Sequence, residues 1–318
     1  MAITIVPEAL EMIKFYNSRL SRKDAVKAVR SQVEKTGRFD LNVIKSEESQ
    51  RRTADNLYRR AQDKLKMIQE RDFIQRVLSS DLNKVIEMGL KRAKTVFYEK
   101  DKFKEPIVFF TAGMTSTNAK TLEDNSFGIS LSQISYDPIC RKDATLLIEN
   151  LCAHEGNHNY IDQLLLERNE TDIGKAKEKI FREGLATFVM SEDVLKQSET
   201  HVEYMKNVKE WEGYMERVFK SNKEDRLALL GNMINSSSFK RLRPKAAEEL
   251  KATLESSDKI DVQKYEAFLK KIFLESNGPA YTIGYNMLSK INEKYGIEKV
   301  RDVVSKGPSE LFAVYKSI

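Results

Sequence analysis

Three histidines occur among 318 residues, and two of them stand four apart in His154-Glu155-Gly156-Asn157-His158. Residues four apart in a helix share one face, about 40° apart around the axis, so both imidazoles can reach a single metal ion. Glu155 lies one step round from His154, where its carboxylate can contact the water such an ion holds without becoming a ligand. Two imidazoles and an adjacent base form the H-E-x-x-H pattern, whose chemistry is attack of an activated water on a carbonyl group. A catalytic zinc site takes three protein ligands and keeps a fourth position open. A third donor must therefore come from elsewhere in the chain.

The elements that position these residues suggest where to look. Asp143 is a suitable N-cap for a helix running through Leu166; Arg168 to Asp172 breaks it, and a second helix covers about Ile173 to Lys196. An antiparallel return about a turn centred near residue 170 brings position 183 level with His158. Residue 183 is a glutamate, within Phe181-Arg182-Glu183-Gly184-Leu185-Ala186, where Gly184 and Ala186 are small enough for the two helices to pack closely. Glu178 and Glu192 are out of level on the same helix. His201, on a separate polar helix, ranks second as third ligand and otherwise reads as a surface residue. Arg182 reads as a structural ion-pair partner. Cys152 points to nearly the opposite side of the helix from His154 and reads as buried packing.

Around this centre the chain is dominated by helical periodicity. Residues 8–100 read as successive amphipathic helices. One begins near Ser49 with Ala54, Leu57, Tyr58, Ala61, Leu65 and Ile68 in its stripe, and another spans Leu82 to Tyr98 with Val85, Ile86, Ala93, Val96 and Phe97. The strand candidates are Ile107 to Thr111 and the alternating run Phe127 to Ile134. A Ser-rich basic stretch, Asn235 to Lys245, reads as a loop. Gly278-Pro279 opens a late helix that Gly296 closes. Only 13 glycines and 6 prolines occur, while 32% of residues are charged, which excludes collagen-like and low-complexity chains and disfavours a turn-rich β-sandwich.

The net charge of +6 does not define a nucleic-acid surface, because acidic residues such as Asp55, Asp63, Glu70 and Asp72 are mixed among the arginines and lysines. Two cysteines and the absence of a leader pattern at the N-terminus imply a reduced, cytoplasmic location. The apolar runs are far short of the ~20 residues a membrane span needs.

With these residues in place, the sequence resembles the gluzincin metallopeptidases, in which an H-E-x-x-H helix is followed by a second helix donating a glutamate ligand. More closely, it is similar to families of predicted zinc-dependent proteases whose second helix carries E-G-L-A and whose later helix carries G-P-x-Y-x-x-G. Here these read Glu183-Gly184-Leu185-Ala186 and Gly278-Pro279-Ala280-Tyr281-Thr282-Ile283-Gly284. The resemblance covers about residues 105–300, and the interval from His158 to Glu183 is longer than in the best known gluzincins. It implies Zn²⁺ on His154, His158 and Glu183, with Glu155 as general base. It also implies an oxyanion donor, Tyr281 or, one turn later, Tyr285. Asp162, four residues after His158, either orients that imidazole or is a solvated carboxylate. Gluzincin-like folds bind peptide along a sheet edge, which places Gly128, Ile129 and Ser130, in the segment Gly128 to Ser132, at the substrate; an ordinary strand face is the other reading of these residues.

The expectation is therefore an α+β, predominantly α-helical protein. A helical region at 1–100 would precede a zincin-like core with a small β-sheet at 101–318, finished by a C-terminal helical lobe. Its expected activity is zinc-dependent peptide-bond hydrolysis on a peptide or protein substrate, with no membrane partner. Two other readings are a structural-metal or inactive relative, against which the intact Glu155 speaks, and a nucleic-acid-binding helical protein resting on Lys240, Arg241, Arg243 and Lys245.

Overall fold

A computed structural model describes residues 3–5, 21–36, 38–39, 42–43, 46–111, 118–122, 125–164, 171–221, 223–236, 239–240, 244–255 and 279–318. Arg168, Arg241, Arg243 and Gly278, which entered the sequence reading, lie outside them. The architecture is α+β and mostly helical, with one small mixed sheet. The chain divides into two compact units, Met1–Thr95 with Glu99–Gln163, and Val96–Tyr98 with Leu164–Ile318.

In the first unit, strand β1 (Ile3–Ile5) precedes helix α1 (Arg22–Thr36), a two-residue ladder of β2 (Arg38–Phe39) and β3 (Asn42–Val43), and helices α2 (Glu47–Ala61), α3 (Lys64–Leu78) and α4 (Leu82–Ala93). The helix expected from Ser49 to Ile68 is two helices. Ala54 and Leu57 are buried as the stripe requires, but the chain breaks after Ala61, and Ile68 is 47% exposed on α3. Helix α4 is capped by Asp81, whose carboxylate accepts from the Lys84 amide at 3.2 Å, and buries Leu82, Ile86, Gly89, Leu90 and Ala93 along one stripe. It stops at Ala93, short of the expected Tyr98.

Three further strands, β4 (Ile107–Thr111), β5 (Ala119–Leu122) and β6 (Ser126–Ser130), join β1 in the order β1-β4-β6-β5. Strand β4 runs parallel to both β1 and β6, while β5 is antiparallel to β6. Every residue of β6 is buried, as befits a strand with neighbours on both sides and covered faces. It ends at Ser130 instead of running to Ile134. The Ser130 hydroxyl accepts from the Gln133 amide at 3.3 Å and caps a helical turn, Leu131–Ile134. Pro138–Lys142 forms a second short turn before helix α5 (Ala144–Asp162).

The second unit begins with α6 (Asp172–Phe188), followed by α7 (Glu192–Gln197), α8 (Glu199–Lys206), α9 (Val208–Lys220), α10 (Lys223–Asn235), α11 (Pro244–Glu255), α12 (Pro279–Tyr295), α13 (Ile297–Lys306) and α14 (Pro308–Lys316). The helix expected to reach Lys196 ends at Phe188, because Ser191 adopts an extended conformation and Glu192 and Asp193 supply the acidic first turn of a new helix. Gly296, at φ 79°, closes α12 as expected, its amide donating to the Asn292 carbonyl at 2.8 Å. Trp211 is buried among Tyr204, Tyr214 and Phe239 and anchors the aromatic core of this unit. Among the described residues no helix is long and apolar enough to cross a membrane.

Candidate metal centre

Helix α5 is seated before it carries any chemistry. The Asp143 carboxylate accepts from the amides of Thr145 at 2.9 Å and Leu146 at 3.1 Å, the N-cap expected from sequence. Ile148, Cys152, Ala153, Gly156, Tyr160 and Ile161 are buried, so almost the whole circumference is packed. Buried polar residues on the helix are each tied down. Arg92 on α4 donates to the Glu149 carboxylate and to the Asn150 side-chain Oδ1, and the Asn157 side chain donates to the Ala93 main-chain carbonyl at 3.2 Å. Glu105 accepts from the Tyr160 hydroxyl at 2.7 Å while paired with Lys94. Together with burial this holds the Tyr160 phenol protonated, its pKa raised. Gln163 ends the helix short of Leu166 by donating to the carbonyl oxygens of Lys104 and of the Asn125 side chain, each at 3.1 Å.

On this fixed scaffold His154 and His158 are half-buried, their ring centroids 4.9 Å apart and their planes at 82°. Glu155 is only 8% exposed, and its Oε2 accepts from the Thr121 hydroxyl on β5 at 2.7 Å. Its carbonyl accepts from Asn159 at 3.0 Å. Cys152 is buried, as expected, and lies where Gly89 of α4 comes close: a Cβ on that glycine would stand 2.6 Å from the Cys152 Cβ. Burial raises its thiol pKa, which suits packing and not ligation. Asp162 is exposed at the last turn of α5.

In the second unit α6 is capped by Thr171, whose hydroxyl accepts from the Gly174 amide at 3.1 Å, and it presents Glu183, 5% exposed and paired with Lys179 one turn earlier. Arg182 lies 3.8 Å from Glu178 in the structural pairing expected of it, and Glu192 pairs with Lys196 at 2.7 Å. Gly184 serves a different contact from the expected one. A Cβ there would stand 2.3 Å from the Gly284 Cα, so its small size admits α12, the helix of Tyr281 and Tyr285. Both tyrosines are half-buried. His201 is not the surface residue of the sequence reading: it packs edge-on against Tyr285, centroids 5.0 Å apart, and burial lowers its pKa to about 4.

One ligand atom from each of His154, His158 and Glu183 lies within 4.8 Å of the others, the one such group of histidine, cysteine and acidic side chains among the described residues. Two imidazoles and one carboxylate are a zinc donor set that keeps a fourth position open. His201 is not in the group.

The substrate edge expected at Gly128, Ile129 and Ser130 is corrected by the sheet. These residues pair with Phe109, Phe110 and Thr111 on one side and with β5 on the other, so their main-chain groups are not free to take an added strand. The outer strand beside β6 is β5. Neither β5 nor β1 emerged from the sequence: β5 is a four-residue strand without a long apolar run, whereas the alternation Ile3-Thr4-Ile5 was a usable signal for β1.

The fold and donor set define an α+β protein with two histidines and one glutamate grouped where they could hold a metal ion. Residues 8–318 match the model of the family described as "Putative zinc dependent peptidase (DUF5700)", and the chain belongs to that family. No curated protein and no solved structure matches the chain.

Proposed function

We propose that this protein hydrolyses peptide bonds with zinc held by His154, His158 and Glu183. The observation that carries the reading is the convergence of those three donors, with the carboxylate of Glu155 on the same helix as the two imidazoles. Zinc in such a site supplies a Lewis acid that brings a water pKa toward 7 and polarises a scissile carbonyl. Glu155 takes the proton of the attacking water and hands it to the leaving amine. Tyr281 donates to the developing oxyanion, with Tyr285 the alternative one turn along. Asp162, four residues beyond His158, orients that imidazole. The peptide lies along the outer side of β5, held by main-chain hydrogen bonds.

The test is digestion of a proteome-derived peptide library by wild type and by Glu155→Gln, with zinc analysis of both. Wild type should cleave. The variant should keep its metal and lose about 10²- to 10⁴-fold in rate, the usual worth of a general base. Loss of metal from Glu155→Gln would make Glu155 a ligand instead. Glu183→Ala should bind zinc more weakly, and unchanged affinity would remove Glu183 from the centre.

A further inference from the structure

Thr121 occupies a position with two outlooks. Its hydroxyl donates to Glu155 Oε2 at 2.7 Å, a contact from the sheet to the carboxylate beside His154. The ladder between β5 and β6 fixes where its main chain points. Ser130 donates to the Asn118 carbonyl at 2.9 Å, and the register pairs Ala119 with Ile129, Lys120 with Gly128, Thr121 with Phe127 and Leu122 with Ser126. Antiparallel neighbours alternate between hydrogen-bonded and non-hydrogen-bonded pairs, so pairs 118/130, 120/128 and 122/126 exchange bonds. The amides and carbonyls of Ala119 and Thr121 therefore face away from β6, toward the side of β5 where no other strand of the described residues lies. Side chains alternate as well, which leaves Lys120 exposed and turns Thr121 to Glu155. A β-branched side chain on a strand has restricted χ1, so the hydroxyl is held in direction as well as in place.

We infer that Thr121 is a positioning residue for Glu155. Its hydroxyl holds Oε2 and fixes the carboxylate rotamer, which leaves Oε1 as the oxygen that receives the proton. The same residue offers its amide and carbonyl to whatever pairs with the outer side of β5, so a peptide seated there contacts the residue that sets the base. This inference rests on Glu155 acting as the general base.

The test compares Thr121→Val, which keeps the shape and removes the donor, with Thr121→Ser, which keeps the donor, in the full zinc-loaded chain. Acetohydroxamate is the probe, because it chelates zinc and gives a hydrogen bond to an adjacent carboxylate without needing a known substrate. Thr121→Val should retain zinc and bind acetohydroxamate about tenfold more weakly, Thr121→Ser should restore binding to within about threefold, and Thr121→Val should add nothing in a Glu155→Ala background. On library peptides that wild type cleaves, Thr121→Val should lower kcat at least tenfold with KM unchanged. Wild-type affinity and kcat in Thr121→Val, or an effect that adds fully to Glu155→Ala, overturns the inference alone. A wild-type chain that binds no zinc, or a Glu155→Gln variant that cleaves normally, overturns the functional reading and this inference with it.

Discussion

Each unit crosses a pair of helices through glycine, and the two crossings are built differently. In the first, α4 and α5 meet with one glycine each, but the glycines do not face one another. A Cβ on Gly89 would stand 2.4 Å from the Glu149 carbonyl oxygen, whereas one on Gly156 would meet the Leu90 Cδ2 at 2.5 Å. In the second, α6 and α12 meet glycine on glycine: a Cβ on Gly184 falls 2.3 Å from the Gly284 Cα, and one on Gly284 falls 2.1 Å from the Ile180 carbonyl oxygen. Backbone cannot step aside as the end of a leucine can. Both crossings flank residues of the candidate site, since Gly156 follows Glu155 and Gly184 follows Glu183. The comparison shows that α6 and α12 meet backbone on backbone at both glycines, whereas α4 and α5 do so at Gly89 only, Gly156 meeting the end of a side chain.

The largest expected effect tests the rigid crossing. Gly284→Ala and Gly184→Ala should each destabilise the protein by about 3 kcal/mol, the upper part of the overpacking range, because helix backbones must separate. Chemical denaturation gives the number, and zinc titration gives its local consequence: Gly184→Ala should also weaken zinc binding by displacing Glu183. Near-wild-type stability in both variants would show that the two helices slide freely and would remove the distinction between the crossings.

Much of the centre was legible because its residues are rare and regularly spaced. His154, Glu155 and His158 declare themselves through the helical period, and the Asp143 cap places their helix. Glu183 was reached by a route that does not survive. The helices end at Asp162 and begin at Asp172, so a return counted from those ends is level with residue 176 and not with 183. The E-G-L-A resemblance points to the residue that groups with His154 and His158, but its glycine meets α12, a partner distant in sequence. Thr121 was illegible for a related reason. A threonine in a four-residue strand has no periodicity to betray it, and its importance arises only when the ladder to β6 brings it beside Glu155. The Ser130 cap and the stop at Phe188 were local signals of a familiar kind, a serine before a short helical run, outweighed in the sequence reading by longer hydrophobic patterns.

A smaller effect probes the surroundings of the rigid crossing. His201 packs on Tyr285, the residue after Gly284, and burial lowers its pKa from about 6.5 to about 4. Between those values the unfolded chain binds a proton that the folded chain does not, so stability falls as pH falls. His201 contributes no penalty above pH ~6.5 and about 2 to 3 kcal/mol of destabilisation by pH ~4. The comparison should be made on chelator-treated protein, so that protonation of the metal centre does not enter. His201→Phe keeps an edge-on ring beside Tyr285 and should flatten the stability profile over this window relative to wild type. Parallel profiles would mean that the imidazole is protonated in place.

The smallest effect belongs to Gly156→Ala, and it sharpens the comparison most because it is expected to do little. The added methyl would stand 2.5 Å from a leucine terminus, which must swing aside by about 1 Å, at the usual cost of about 1 kcal/mol or more for a strained core contact. Against this, alanine in a helix interior is worth about 1 kcal/mol over glycine. The two terms nearly cancel, so denaturation should register a change within about 1 kcal/mol, and zinc affinity should stay at the wild-type value because His154 and His158 keep their helix. A loss as large as that of Gly184→Ala would show that Leu90 has no room to move, and that α5 is held at Gly156 as tightly as α6 is at Gly184.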